Sequence, residues 1–315
     1  MAMPVQPLRQ VGICLNVSTR TDHVADLGEL SQLVAGFADS DFTHVELGAN
    51  GLGVVIAGMA HPARLQALRQ ALSRCRQRLT LHGSWTGSGR VGNLLDPRSR
   101  LAQVGGLMAD LEIAAAIGAE VVVYHAGTLG SAYEDDAALE AGLAGERDAL
   151  RQLGEQAAQH GIVIAVENRA PTPRVIARRS YGMRLDLVAG QVEAVGHPNV
   201  TMCLDTGHAF LAAQYLGFDF LGAVRSAAPL VGHVHLADNF GRIGPPDADL
   251  REMEFLGEGD LHLPPGWGAI PLREMLSIPF PRDPVIILEI RHLRHHQEAL
   301  AAYRKLLPPA AGAAR

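Results

Sequence analysis

Two patterns alternate along the chain. Short apolar runs rich in β-branched residues are followed by longer stretches in which apolar residues recur every three to four positions. The short runs predict strands over 11–17, 43–47, 79–83, 120–125, 162–167, 200–205, 232–237 and 285–290. The longer stretches predict helices over 25–38, 62–76, 98–117, 137–160, 185–195, 209–228, 271–276 and 296–306. The strand runs are apolar with little alternation, as strands buried on both faces are. Eight strand–helix units in succession predict an α/β protein, a (β/α)8 TIM barrel of one domain over 11–307. A doubly wound open sheet is the alternative, and no glycine fingerprint follows the first strand to support it. Residues 1–10 read as an N-terminal extension and 308–315 as a frayed tail.

With 315 residues, 48% hydrophobic and 19% charged, the chain can bury a large core. A net charge of −6 and the lack of a basic tail give no support for broad nucleic-acid or membrane-surface binding. A local basic groove stays open, so nucleic acid is disfavoured as a partner and not excluded. Cys14, Cys75 and Cys203 are odd in number and far apart, which fits reduced thiols in a cytoplasmic protein. No apolar leader stands in 1–10, and no run of 18 apolar residues suggests a membrane span. A homodimer is left open.

Two loops are too long to be simple connections, 168–184 and 238–269. The first carries Arg169, Arg174, Arg178, Arg179 and Arg184. It reads either as a solvated basic loop or as a clamp for an anionic substrate. The second contains Asp260-Leu261-His262 followed by a Pro- and Gly-rich segment, which suggests an ordered lid.

The chemistry gathers at the strand ends. The sixth strand ends in Asp205, and His208 follows about one helical turn later. Alone, that pair reads equally as a helix N-cap beside a structural His and as two metal ligands. The other strands break the tie. His82, His125, Glu167, His235 and Glu289 stand at the ends of strands three, four, five, seven and eight, and Asp260 and His262 lie in the loop after strand seven. In a barrel these ends converge on one mouth. All nine residues are metal-ligand types, and nine unpaired polar groups would make a costly core. One ion would occupy Glu167, Asp205, His235 and Glu289 and leave five candidates without a task. Nine ligands with bridging carboxylates fit two or three divalent ions, zinc first, with manganese or iron as alternatives.

Around them, Arg169, Trp85, Glu46, Arg242 and Trp267 are candidates to contact a small phosphorylated or sugar-like substrate. Glu46 could instead pair with an arginine, and Trp85 could simply pack. His233 faces the same way as His235 one layer deeper, and His44 reads as core. Asp238 and Asn239 either orient a ligand or cap the loop. Arg291, His292, Arg294, His295 and His296 read as a solvated start to the last helix.

These residues resemble the xylose isomerase-like TIM barrels, a superfamily that includes endonuclease IV and the sugar phosphate isomerases/epimerases. The likeness runs from about Val11 to Ile290 and is carried by several short motifs. They are Leu81-His82-Gly83, Tyr124-His125-Ala126-Gly127, Val166-Glu167-Asn168, Cys203 to Phe210, His235-Leu236-Ala237-Asp238, Asp260-Leu261-His262 and Leu288-Glu289. In the endonuclease IV branch, the resemblance implies three zinc ions on the nine matching positions. In the epimerase branch it implies one ion on Glu167, Asp205, His235 and Glu289, with the two glutamates moving protons and His208 touching substrate. Ala126 stands where the DNA-repair branch usually has Pro, and Gly207 where it usually has Cys. Gly257-Glu258-Gly259 precedes Asp260 in a longer loop. These departures argue against abasic-site DNA as the substrate.

Two enzymatic functions follow, with Glu167, Glu289 and His208 as the catalytic candidates. One is phosphoester hydrolysis, in which several ions activate water and neutralise charge on the attacking and leaving oxygens. The other is mononuclear isomerisation or epimerisation of a sugar or sugar phosphate, with Glu167 and Glu289 as an acid/base pair. The intact nine-residue set tilts the expectation toward hydrolysis. Abasic-site cleavage is a second alternative. A metal-storing module is disfavoured, because a mouth lined by long loops suggests turnover.

Overall fold

The structure, a computed structural model, describes residues 10–15, 27–83, 93–128, 136–177, 180–244 and 250–308. Eight strands form a closed barrel: β1 (Val11–Cys14), β2 (His44–Gly48), β3 (Arg78–His82), β4 (Ala119–His125), β5 (Val163–Glu167), β6 (Val200–Asp205), β7 (Val231–Leu236) and β8 (Val285–Leu288). Each pairs in parallel with its neighbours in sequence, and β1 closes the ring against β8. Helices pack outside, bringing their apolar faces onto the outward side chains of the strands in one continuous core. Small clusters fill the interior, with Val121, Val123, Ala165 and Cys203 on one side and Cys14, Val285 and Ile287 on the other.

The register positions the site. His125 on β4 pairs with Glu167 on β5, and Asp205 on β6 pairs with His235 on β7. Four strands thus deliver polar ends to the mouth, Asp205 two residues beyond the partner of Glu167, Cys203. β8 stops at Leu288, so Glu289 stands just beyond it and not inside a strand.

The boundaries differ from the expectation where local chemistry intervenes. The helix expected over 209–228 is two helices, Thr206–Leu216 and Phe220–Ala227. Gly217 adopts φ +73° and ends the first of them, its N–H reaching Ala213 O at 2.9 Å. That first helix starts three residues early because Asp205 caps it, its Oδ1 accepting from the His208 N–H at 2.6 Å. An antiparallel pair of two-residue strands, Val55–Ile56 and Met59–Ala60, was not expected. Neither were the short helices Pro173–Ala177 and Leu250–Leu256 inside the two long loops. Among the described residues, no helix is long and apolar enough to cross a membrane.

Candidate metal centre

All nine ligand candidates meet at the mouth, and they fall into three adjoining groups. In the first, Glu167 Oε2 lies 2.7 Å from His125 Nε2 and 3.4 Å from His82 Nε2. In the second, Glu167, Asp205, His235 and Glu289 each bring a ligand atom within 4.8 Å of the others. His235 Nδ1 stands 3.1 Å from Glu167 Oε1 and 3.2 Å from Glu289 Oε2. In the third, His208 Nε2 and His262 Nε2 approach the same atom, Asp260 Oδ2, at 3.1 and 2.9 Å. Glu167 therefore turns one oxygen toward each of the first two groups.

The third group has a fixed proton arrangement. His208 Nδ1 donates to the Asn168 main-chain oxygen at 2.9 Å, and His262 Nδ1 donates to that of Glu289 at 3.0 Å. A carbonyl oxygen only accepts, so Nδ1 carries a proton in both rings and Nε2 is the atom turned to Asp260. Second contacts that set the tautomer in this way are typical of metal-ligating imidazoles.

The residues fit divalent ions by a further criterion. All four cup carboxylates hold a buried oxygen that accepts no hydrogen bond: Glu167 Oε2, Asp205 Oδ2, Asp260 Oδ1 and Glu289 Oε2. Two of these oxygens have an imidazole nitrogen near them, His125 Nε2 at 2.7 Å from Glu167 Oε2 and His235 Nδ1 at 3.2 Å from Glu289 Oε2. These four carboxylates and the five imidazoles against them form an oxygen–nitrogen donor set for a borderline divalent metal. Asp205 Oδ1 caps the helix, while its Oδ2 is buried and accepts no hydrogen bond.

The electrostatics follow from crowding. Burial works against charge on every imidazole. At His208 and His262 the surrounding carboxylates outweigh burial and raise the imidazoles, His262 to about 9, and at His235 Cys203 does so together with Glu46, Glu289 and Glu167. At His125 burial prevails over Glu167, with Arg169 and His82 adding to it, and the imidazole falls to about 4. Burial raises the Asp205 carboxyl, opposed by His208 and reinforced by Asp260, Glu289 and Glu167.

The other candidates divide. Arg169 is half-buried in the loop after β5, near enough to His125 for its charge to act there. Trp267 is 43% exposed, its ring edge-on to His295 at 5.0 Å. Arg242 is exposed and reaches back to Leu256 O at 3.4 Å. Trp85 lies outside the described residues, as do Arg178 and Arg179. Glu46 is fully buried and pairs with histidines, not with an arginine. Its oxygens meet His233 Nε2, His235 Nε2 and Thr80 Oγ1, each at 2.9 Å, one layer beneath the cup. Asp238 caps the lid loop, accepting from the N–H groups of Asn239, Gly266 and Ile270.

Two contributors were missed. Asn168 laces β5 to β6, donating to Asp205 O and accepting from Asp205 N, and its own carbonyl sets the His208 tautomer. Its place directly after Glu167 was the available signal. Arg291, read as solvated, turns inward onto the Asp260–Leu261 backbone. Its charge type gave no hint of that.

Residues 35–306 match the family described as xylose isomerase-like TIM barrel. Two curated proteins named "Probable endonuclease 4", from Mycobacterium leprae strains Br4923 and TN, are 30% identical over 138 residues, covering 44% of this chain and 49% of each relative. The chain thus spans about half the length of the curated relatives it matches. Among solved structures, a D-tagatose 3-epimerase-like protein aligns with a TM-score of 0.69 at 20% identity, covering 94% of this chain and 96% of that one. The 3-keto-D-glucoside 4-epimerase of E. coli aligns with 0.61 at 17%, covering 94% and 99%. A xylose isomerase domain protein from Planctomyces limnophilus aligns with 0.60 at 18%, covering 96% and 98%. At such identities the likeness is one of fold.

Proposed function

The chain belongs to the xylose isomerase-like TIM barrel family, and from that premise we propose that it is a divalent-metal-dependent hydrolase cleaving a phosphoester of a small phosphorylated or sugar-like substrate. The observation that carries this reading is the third group. Two imidazoles with Nδ1 pinned by main-chain carbonyls turn Nε2 onto one carboxylate oxygen of Asp260. A single ion on Glu167, Asp205, His235 and Glu289 leaves that arrangement without a task.

Two or three ions would be held by His82, His125 and Glu167, by Glu167, Asp205, His235 and Glu289, and by His208, Asp260 and His262. Such ions supply Lewis acidity and activated water for attack at phosphorus. The chain's own residues do the rest. Glu167 joins the first two groups through its two oxygens and fixes their spacing. Glu289 joins the second to the third, its carboxylate facing His235 and its carbonyl holding His262. Arg169, whose charge acts on His125, is the candidate to bind an anionic oxygen of the substrate through its guanidinium fork.

Activity tests the reading. Phosphate monoesters, diesters, abasic DNA, and free and phosphorylated ketoses are offered to the zinc-loaded protein. Hydrolysis that is lost on chelation and regained with zinc supports it. A second reading is favoured by the compactness of the four-residue group, whose ligand atoms lie within 4.8 Å of one another. In it, Glu167 and Glu289 exchange a carbon-bound proton of a sugar or sugar phosphate while His208 contacts the substrate. Solvent deuterium entering a ketose without phosphate release decides for that isomerase. Cleavage of abasic DNA decides for the activity that the curated relatives' name carries.

A further inference from the structure

His262 stands in an uncommon conformation, φ +48°, in the left-handed region that side chains with a Cβ avoid. Such a residue costs about 1–2 kcal/mol and persists only where its surroundings over-determine it. The surroundings here are specific. On its C-terminal side, Leu263 pairs with Asp238 through two main-chain hydrogen bonds, Leu263 N to Asp238 O at 3.0 Å and Asp238 N to Leu263 O at 2.9 Å. On its N-terminal side the anchor is Arg291. Its Nη2 donates to Asp260 O at 2.7 Å, its Nε to Leu261 O at 3.1 Å, and its main-chain N–H to His262 O at 2.8 Å.

One residue thus binds three successive carbonyls of the Asp-Leu-His segment. The fork geometry of a guanidinium suits two adjacent carbonyls, and an ammonium does not reproduce it. Glu254, on the Leu250–Leu256 helix of the lid loop, stands 3.8 Å from Arg291 Nε on another side. Arg291 is also two residues past Glu289, whose carbonyl fixes the His262 ring. Residues 289–291 therefore supply the second group with a carboxylate, and the third group with both a ring anchor and a backbone strap.

We propose that Arg291 is a positioning residue that holds Asp260 and His262 in metal-binding geometry, locking the third group to the second. The proposal rests on the multinuclear reading above. Loosening the strap releases the left-handed turn at His262 and the shared aim of His208 and His262 at Asp260 Oδ2. The first and second groups keep their ligands, which come from the strand ends.

Zinc is titrated into the metal-free full-length protein and its Arg291→Ala and Arg291→Lys variants, with calorimetry, elemental analysis and circular dichroism. The expected result for Arg291→Ala is a folded protein in which one ion binds about 10–100-fold more weakly and the others are unchanged. Arg291→Lys should fall between and covers the case in which Arg291→Ala does not fold. In an Asp260→Asn background, which lacks the third group's carboxylate, Arg291→Lys should no longer alter zinc affinity. A multi-ion wild type whose isotherm neither Arg291 variant changes overturns the strap. A wild type that takes up one zinc overturns the multinuclear reading, and the strap with it.

Discussion

The His262 ring donates through Nδ1 to the Glu289 main-chain oxygen at 3.0 Å, so a residue from the lid loop takes its tautomer from a residue at the end of β8. With His208 held likewise by Asn168, the third group is set before any ion arrives. Asp260→Asn tests that group. It keeps the shape and removes the charge, and the protein should bind one zinc fewer, with hydrolysis reduced about 10–100-fold, by elemental analysis and steady-state kinetics.

The protons on these rings make loading pH-dependent. In the metal-free protein His262 is raised to about 9 against burial by Asp260 and Glu289, and His208 is raised as well. Both shifts favour the charged form, and an Nε2 proton held against Asp260 has to leave before that nitrogen can bind a metal ion. Zinc uptake should release protons and tighten as pH rises toward 9, measured in buffers of different ionisation enthalpy. The stability sign runs the other way. The folded pKa of His262 lies above the unfolded 6.5, so its contribution to the metal-free protein is full below 6.5 and is lost as pH rises through about 9. Urea midpoints of the chelated protein report that loss.

Arg169, half-buried in the loop after β5, acts on His125 through its charge. Arg169→Ala should raise KM for an anionic substrate about tenfold, the equivalent of ~1.4 kcal/mol, and leave KM for a neutral ketose unchanged. Initial-rate kinetics on the two substrate types separate the outcomes.

Glu146 is fully buried and accepts from Tyr124 Oη at 3.0 Å, Tyr181 Oη at 2.7 Å, Gln191 Nε2 at 3.0 Å and Gly127 N at 3.3 Å. It ties the His125 turn to the arginine loop. Glu146→Ala removes the acceptor of Tyr124 Oη, Tyr181 Oη and Gly127 N, while Gln191 Nε2 keeps Leu143 O, and should cost roughly 3 kcal/mol or more. Glu146→Gln keeps an acceptor oxygen and should cost less than half of that. Urea denaturation of the zinc-loaded protein measures both.

Much of this was legible in the sequence, for a physical reason. A buried strand must be apolar until it ends, so His82, His125, Glu167, Asp205 and His235 advertise the mouth by breaking their runs. Depth was not legible. Glu46 ends a similar run, but the stagger of the strands around the barrel drops it one layer, under His235. Arg291 was misread because its partners lie about 30 residues away in sequence, in the Asp260–Leu261 backbone. A main-chain carbonyl carries no residue identity, so no side-chain pattern marks such a contact. Gly217 could have shown the helix break, since glycine readily supplies the left-handed turn that ends a helix.

The count of ions on the purified, zinc-loaded chain tests the central claim most directly. Elemental analysis should return two or three zinc ions per chain, falling by one in Asp260→Asn. One zinc per chain, unchanged in Asp260→Asn, would contradict the multinuclear site and leave the four-residue isomerase centre in its place.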